Sequence, residues 1–123
     1  MALTVFDKII SDRGSVYAVS GGPVTDRAGI DAMLAELTST RRFAKATHHS
    51  WAAILDEPLK ADDGEAGAGA IILRMLESEG LDDHLVVVTR WYGGKHLGGD
   101  RFRHVIGAVR HYLAHRPRPG GGN

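Results

Sequence analysis

The sequence predicts an α/β fold, arranged as a two-layer α+β sandwich in which helices cover one face of a sheet. Strand-like and helix-like patterns alternate along the chain, as in domains built from a sheet and packed helices. The chain has 123 residues and no cysteine, which is the size of one domain and excludes a disulfide framework. We expect a single domain over residues 1–115. The prolines and glycines of residues 116–123 predict a disordered tail.

The first half of the chain predicts two strands and a helix between them. Residues 15–20 alternate as a strand, and the glycines and proline that follow end it. Asp26 is placed to cap a helix. A second strand is expected over residues 46–55. The apolar residues that recur at helical spacing after Asp26 are Ile30, Met33, Leu34 and Leu37.

The second half predicts a helix, a buried strand and a final helix. Residues 69–79 have helical periodicity and stop at Gly80. Residues 85–89 form an apolar, β-branched run, which is typical of a strand buried on both faces. Asp100 is expected to cap the last helix. The predicted core face of that helix consists of Phe102, Ile106, Val109 and Leu113.

Charge is unevenly distributed, although the chain carries 15 basic and 15 acidic residues. Residues 56–83 contain nine acids and two bases, whereas residues 90–118 contain seven bases and one acid. The neutral total disfavours a protein that coats nucleic acid non-specifically. The segregation predicts either two solvated faces or a basic surface for an anionic partner. No apolar run approaches the roughly 20 residues that span a bilayer, and the first residues do not resemble a signal peptide.

Three segments contain polar residues of the types that bind ligands or take part in catalysis. In a strand, His48 and Ser50 face one side while His49 and Trp51 face the other, so the two histidines are poorly placed to share a metal. Residues 62–65 place three carboxylates around a glycine, as a cation or arginine site or as a helix cap. Residues 90–102 form a glycine-rich loop before a helix, but they match neither Gly-x-Gly-x-x-Gly nor a Walker A loop.

The order and spacing of these segments resemble the IMPACT family, also called YigZ or UPF0029. The matching residues are Ala46-Thr47-His48, the Asp62–Glu65 turn, the run from Val86 to Gly94, Leu97-Gly98 and Asp100-Arg101-Phe102. The resemblance covers roughly residues 12–114. Trp91-Tyr92 and the start of the last helix are closer to the eukaryotic type, while His49 replaces the usual asparagine.

The resemblance implies a fold like the second domain of ribosomal protein S5 and a cytoplasmic protein. Eukaryotic members regulate translation by competing for the scaffold that activates the amino-acid-starvation kinase, and they carry an extra RWD domain. Bacterial members carry an extra ferredoxin-like domain. We expect neither extra domain in 123 residues. No enzymatic activity is established for the family, and the resemblance implies no cofactor or metal.

Three hypotheses follow. The first is a non-enzymatic binding module linked to translation, with RNA or a protein as partner. The second is a metal-assisted hydrolase that uses His48, Asp62, Asp63 and Glu65. The third is a structural network in which a buried Asp–Arg pair joins the acidic turn to the glycine loop. The predicted binding residues are His48, Asp62, Asp63, Glu65, Arg90, Trp91, Tyr92, Gly93, Gly94, Lys95, Asp100, Arg101 and Arg103.

Overall fold

The computed structural model describes residues 3–118, which form five strands and four helices. The chain-order elements are β1 (Thr4–Asp12), β2 (Ser15–Pro23), α1 (Arg27–Leu37), α2 (Arg41–Ala44), β3 (His48–Ile54), β4 (Pro58–Ala61), α3 (Ala68–Glu79), β5 (His84–Trp91) and α4 (Asp100–His115). The predicted tail falls partly on residues 119–123, which lie outside the described residues, so that prediction stays open.

All strand pairs in the sheet are antiparallel, in the order β1-β2-β5-β3-β4. β5 therefore lies in the centre, between the hairpins β1–β2 and β3–β4. The predicted strands at residues 15–20, 46–55 and 85–89 correspond to β2, β3 and β5. Sequence patterns missed β1, β4 and α2, which are an edge strand with an irregular register, a strand of four residues and a helix of four residues.

The predicted helical layer is confirmed for α3 and α4, which pack together on one face of the sheet. Val19 and Val88 of the sheet share one buried core cluster with Ile72 and Leu76 of α3 and Val109 of α4. The alternate residues of these strands, which point to the other face of the sheet, form a second core cluster. The shorter helices α1 and α2 supply Ile30, Met33, Leu37 and Phe43 to that second cluster.

The face of α4 that packs into the core differs from the predicted face by part of a helical turn. Val109 is fully buried as expected, but Tyr112 is also buried, whereas Leu113 is only partly buried. The Tyr112 hydroxyl finds a partner in the core, because it lies 2.7 Å from Nε2 of buried His84. That hydrogen bond permits the tyrosine to occupy an inner position. No helix within residues 3–118 is long and apolar enough to cross a membrane.

Candidate functional site

The sheet register brings the three polar segments to one end of the molecule. His48 at the start of β3 is paired with Arg90 near the end of the neighbouring strand β5. The Thr47 backbone N–H donates to the Arg90 carbonyl at 2.9 Å. The acidic turn of residues 62–65 follows β4, which pairs with the other edge of β3. The glycine loop of residues 93–99 and the acidic turn therefore meet beside the start of β3.

A buried ion pair joins the acidic turn to β5. Arg90 Nη1 lies 3.0 Å from both carboxylate oxygens of Glu65, and each side chain is 6% exposed. Arg90 Nη2 also donates to the Ser15 hydroxyl at 3.2 Å. Arg101 approaches the same carboxylate, with its Nε 3.6 Å from Glu65 Oε2. The predicted Asp–Arg pair is thus corrected to a Glu–Arg pair, because the two aspartates of the turn bind backbone N–H groups.

Asp62 acts as a cap for the start of α3. Its carboxylate oxygens accept from the backbone N–H of Gly67 at 3.1 Å and of Gly69 at 2.8 Å. These backbone hydrogen bonds hold the pKa of Asp62 below its usual range, and the bond from Gly67 has the larger effect. The capping interpretation of the turn is therefore confirmed for this residue.

Asp63 and His48 hold the turn against β3. Asp63 Oδ2 accepts from the His49 backbone N–H at 2.7 Å, and the Asp63 carbonyl lies 2.8 Å from His48 Nδ1. A carbonyl oxygen can only accept, so Nδ1 carries the proton. Gly64 has φ +87°, and a Cβ there would lie 3.0 Å from His48 Nδ1. The glycine therefore permits both the turn and the close approach of the imidazole.

Each end of the glycine loop is anchored. The Tyr92 backbone N–H donates to the Thr47 hydroxyl at 2.9 Å, and Leu97 is buried in the core beside α4. A Cβ on Gly93 would lie 2.0 Å from the carbonyl carbon of Gly14 in the β1–β2 turn. Gly93 therefore permits the two backbone segments to approach each other closely. Gly94 has φ +94°, a left-handed conformation that glycine adopts without steric cost.

Trp91 faces away from these groups. Its indole N–H donates to the Arg42 carbonyl at 3.0 Å, and the Arg42 guanidinium lies 3.9 Å from its ring centroid. Phe43 packs edge-on against the indole. Successive residues of a strand face opposite sides, so buried Arg90 on one side requires Trp91 on the other. Of the two predicted aromatic residues, Tyr92 is the one at the site.

The start of α4 differs from the expectation in one respect. The N-cap is Gly99, and Asp100 is the first helical residue with no capping bond. The Asp100 carboxylate instead pairs with Arg13 of the β1–β2 turn and, at 3.3 Å, with Arg103. Asp100 and Arg103 therefore lie in a separate exposed charge cluster. This is a correction to the prediction that Asp100 caps the helix.

A cavity of about 390 Å³ opens where the segments meet. Five predicted residues line it, while the remaining eight support it or lie elsewhere. His96 lines the cavity although it is absent from the predicted binding residues. The complete lining is His48, Gly64, Glu65, Ala66, Arg90, Tyr92, His96, Leu97, Gly98 and Arg101.

The geometry does not support the metal-assisted hydrolase hypothesis. That hypothesis required the carboxylates of Asp62, Asp63 and Glu65 to converge with His48. They are instead bonded to three different groups: backbone N–H groups of α3, the His49 backbone N–H and Arg90. Within residues 3–118, no three His, Asp or Glu side chains form a group that could hold a metal ion.

Fold and site together define an antiparallel α+β domain in which a buried arginine–glutamate pair joins an acidic turn to a glycine loop. Residues 13–113 match the family model described as the Impact N-terminal domain. The chain belongs to this family, as the sequence motifs predicted.

Comparison with curated proteins agrees with the family assignment. The chain is 34% identical to the Protein IMPACT homolog of Caenorhabditis elegans over 116 residues, covering 87% of this chain and 45% of that protein. It is 36% identical to Protein IMPACT of Bos taurus over 114 residues, covering 87% of this chain and 36% of that protein. The chain therefore spans less than half the length of these relatives.

Two solved structures share the fold. A crystal structure described as a hypothetical protein has a TM-score of 0.80 and 21% identity, covering 95% of this chain and 63% of the other. The two-domain translational regulator Yih1 has a TM-score of 0.56 and 31% identity, covering 92% of this chain and 46% of the other.

Proposed function

We propose that this domain is a non-enzymatic binding module linked to the regulation of translation, and that it acts in the cytoplasm. The proposal is supported by its family and by its similarity to a translational regulator. Its partner is anionic, either RNA or an acidic protein surface, and binds around the glycine loop.

The observation that carries the proposal is the internal use of the acidic charges beside this loop. Arg90 neutralises Glu65, and backbone N–H groups satisfy Asp62 and Asp63. The carboxylates of Asp62 and Asp63 keep their negative charge, but they are directed at backbone N–H groups of α3 and β3 and do not line the cavity. Exposed Lys95 and half-buried Arg101 remain on the loop and at its end. Because Arg90 is buried, we do not include it among the residues that contact the partner directly.

A salt titration tests the RNA form. Binding of a structured RNA should weaken as salt rises, with a log–log slope proportional to the number of phosphates neutralised. Lys95→Gln should reduce that slope by about one. Lys60→Gln is the control, because Lys60 is also exposed but lies on the edge strand β4 and not on the glycine loop. An equal effect of both variants would contradict the proposed surface.

A crosslinking experiment tests the protein form if RNA does not bind at low salt. A photoreactive residue at position 95 should capture a defined partner from a cytosolic extract, whereas the same residue at position 60 should not. Identical products from both positions, together with no RNA binding, would overturn the proposed binding module.

A further inference from the structure

We infer that the cavity beside the glycine loop binds one nucleotide of single-stranded RNA, with the base against Tyr92 and the phosphate near Arg101. The inference rests on the proposed function and names the ligand of the same site. Three observations support it: an exposed and anchored aromatic ring, a guanidinium with unused donors, and a cavity of suitable size.

Tyr92 presents an aromatic surface at the cavity. It is 44% exposed, and within residues 3–118 the other large apolar side chain exposed to this extent is Val5, at 41%. Its backbone is fixed by the Thr47 hydroxyl, and its ring lies 5.8 Å from that of His96 between centroids. Unpaired RNA bases stack on exposed aromatic side chains of this kind.

The two arginines of the cavity have different surroundings. Arg90 is buried, and its donors are directed to Glu65 and Ser15. Arg101 is 31% exposed on its side chain; it donates from Nη1 to the Gly98 carbonyl at 3.3 Å and lies 3.6 Å from Glu65. A guanidinium has five N–H donors, so Arg101 retains donors for a phosphate oxygen.

The balance of charge and the volume fit the same ligand. Two guanidinium groups and one carboxylate line the cavity, which leaves an excess of positive charge. The carboxylates of Asp62 and Asp63 remain charged, but they lie outside the lining and are directed at backbone N–H groups. The volume of about 390 Å³ lies within the range of roughly 300–1,000 Å³ that is usual for small-molecule sites.

Titration of the ¹⁵N-labelled chain with adenosine monophosphate and with ribose 5-phosphate tests the inference. Adenosine monophosphate should shift the amide resonances of residues 64–66 and 92–98. Ribose 5-phosphate should bind at least about fivefold more weakly than adenosine monophosphate, because it has no base to stack. Tyr92→Ala should abolish the difference between the two ligands, and Tyr92→Phe should retain it. Arg101→Gln should weaken both ligands.

Two control variants carry matched changes away from the cavity. Val5→Ala removes the other exposed apolar side chain, and Arg110→Gln removes an exposed arginine further along α4. Neither should alter the affinity for adenosine monophosphate. Unchanged affinity in Tyr92→Ala, or resonance shifts confined to other residues, would overturn the inference. If the inference fails in this way but structured RNA still binds with the expected salt dependence, the proposed function remains supported.

Discussion

Arg90 and Glu65 lie 25 positions apart in the sequence, yet one guanidinium nitrogen contacts both oxygens of the carboxylate at 3.0 Å. Both side chains are almost completely buried. The pair connects the central strand to the turn before α3, so it holds together two segments that line the cavity. Its integrity should matter to stability as well as to the shape of the site.

Removal of one partner should be strongly destabilising. Glu65→Ala leaves the Arg90 guanidinium buried without its counter-charge, and we expect a loss of about 3–5 kcal/mol in the free energy of unfolding by urea. The double variant Glu65→Leu/Arg90→Met should recover most of that loss. Asp31→Ala is the control, because its pair with Arg27 is exposed and should contribute less than about 1 kcal/mol. A loss below 1 kcal/mol for Glu65→Ala would contradict the role of the pair.

The cap formed by Asp62 should make stability depend on pH. Its folded-state pKa is lowered by the backbone hydrogen bonds from Gly67 and Gly69. The stabilisation is therefore complete above the unfolded pKa of about 3.9 and disappears as pH falls through the lower folded pKa. Asp62→Ala should cost about 1 kcal/mol at pH 7. The difference from wild type should shrink at acid pH, whereas exposed Asp56→Ala should change little.

His84 should produce a second pH dependence, at higher pH. Burial, with a smaller contribution from Arg116, lowers the pKa of this imidazole to about 4. The unfolded chain binds the proton near pH 6.5, so stability should be lost as pH falls from about 6.5 to about 4. A shift of this size corresponds to about 3 kcal/mol.

The histidine contribution can be isolated by comparison with His84→Gln. The free energy of unfolding of wild type minus that of the variant should decline across the same pH window, because the glutamine does not titrate. A difference that stays constant from pH 6.5 to 4 would show that the pKa of His84 is the same in the folded and unfolded states.

Gly93 should not tolerate a side chain. A Cβ would lie 2.0 Å from the Gly14 carbonyl carbon and 2.2 Å from its oxygen, and both atoms belong to backbone. We expect Gly93→Ala to cost about 3 kcal/mol or more by urea denaturation, because overpacking here must displace a turn. Gly99→Ala is the control, since a Cβ there meets nothing within 4 Å. Similar stabilities of the two variants would argue against the close approach.

Sequence patterns identified the central elements because their signals are local. The buried run of β5 and the periodic apolar residues of α3 depend only on neighbouring residues. β1 lacks such a pattern, since its register shifts between Phe6 and Ile10 and Lys8 adopts φ +54°. The four-residue helix α2 is too short to show helical periodicity and depends on tertiary packing.

The segments of the site could be recognised from the sequence, but the partners within it could not. Glu65, Asp62 and Asp63 are equivalent candidates for Arg90 until the turn geometry is known. The left-handed conformation of Asp63 and Gly64 decides which carboxylate faces the arginine. The position of Trp91 could have been deduced, because strand alternation separates it from Arg90 once β5 is extended by two residues beyond Thr89.

The central position of β5 has a consequence for folding during synthesis. The hairpins β1–β2 and β3–β4 are each built from adjacent sequence, but they do not pair with each other and meet only through β5. A ribosome must therefore release the chain through Trp91 before the two halves of the sheet can join. Until then, the edges of β2 and β3 that β5 will occupy present unpaired backbone groups, and the emerging chain depends on the last third of its sequence to cover them.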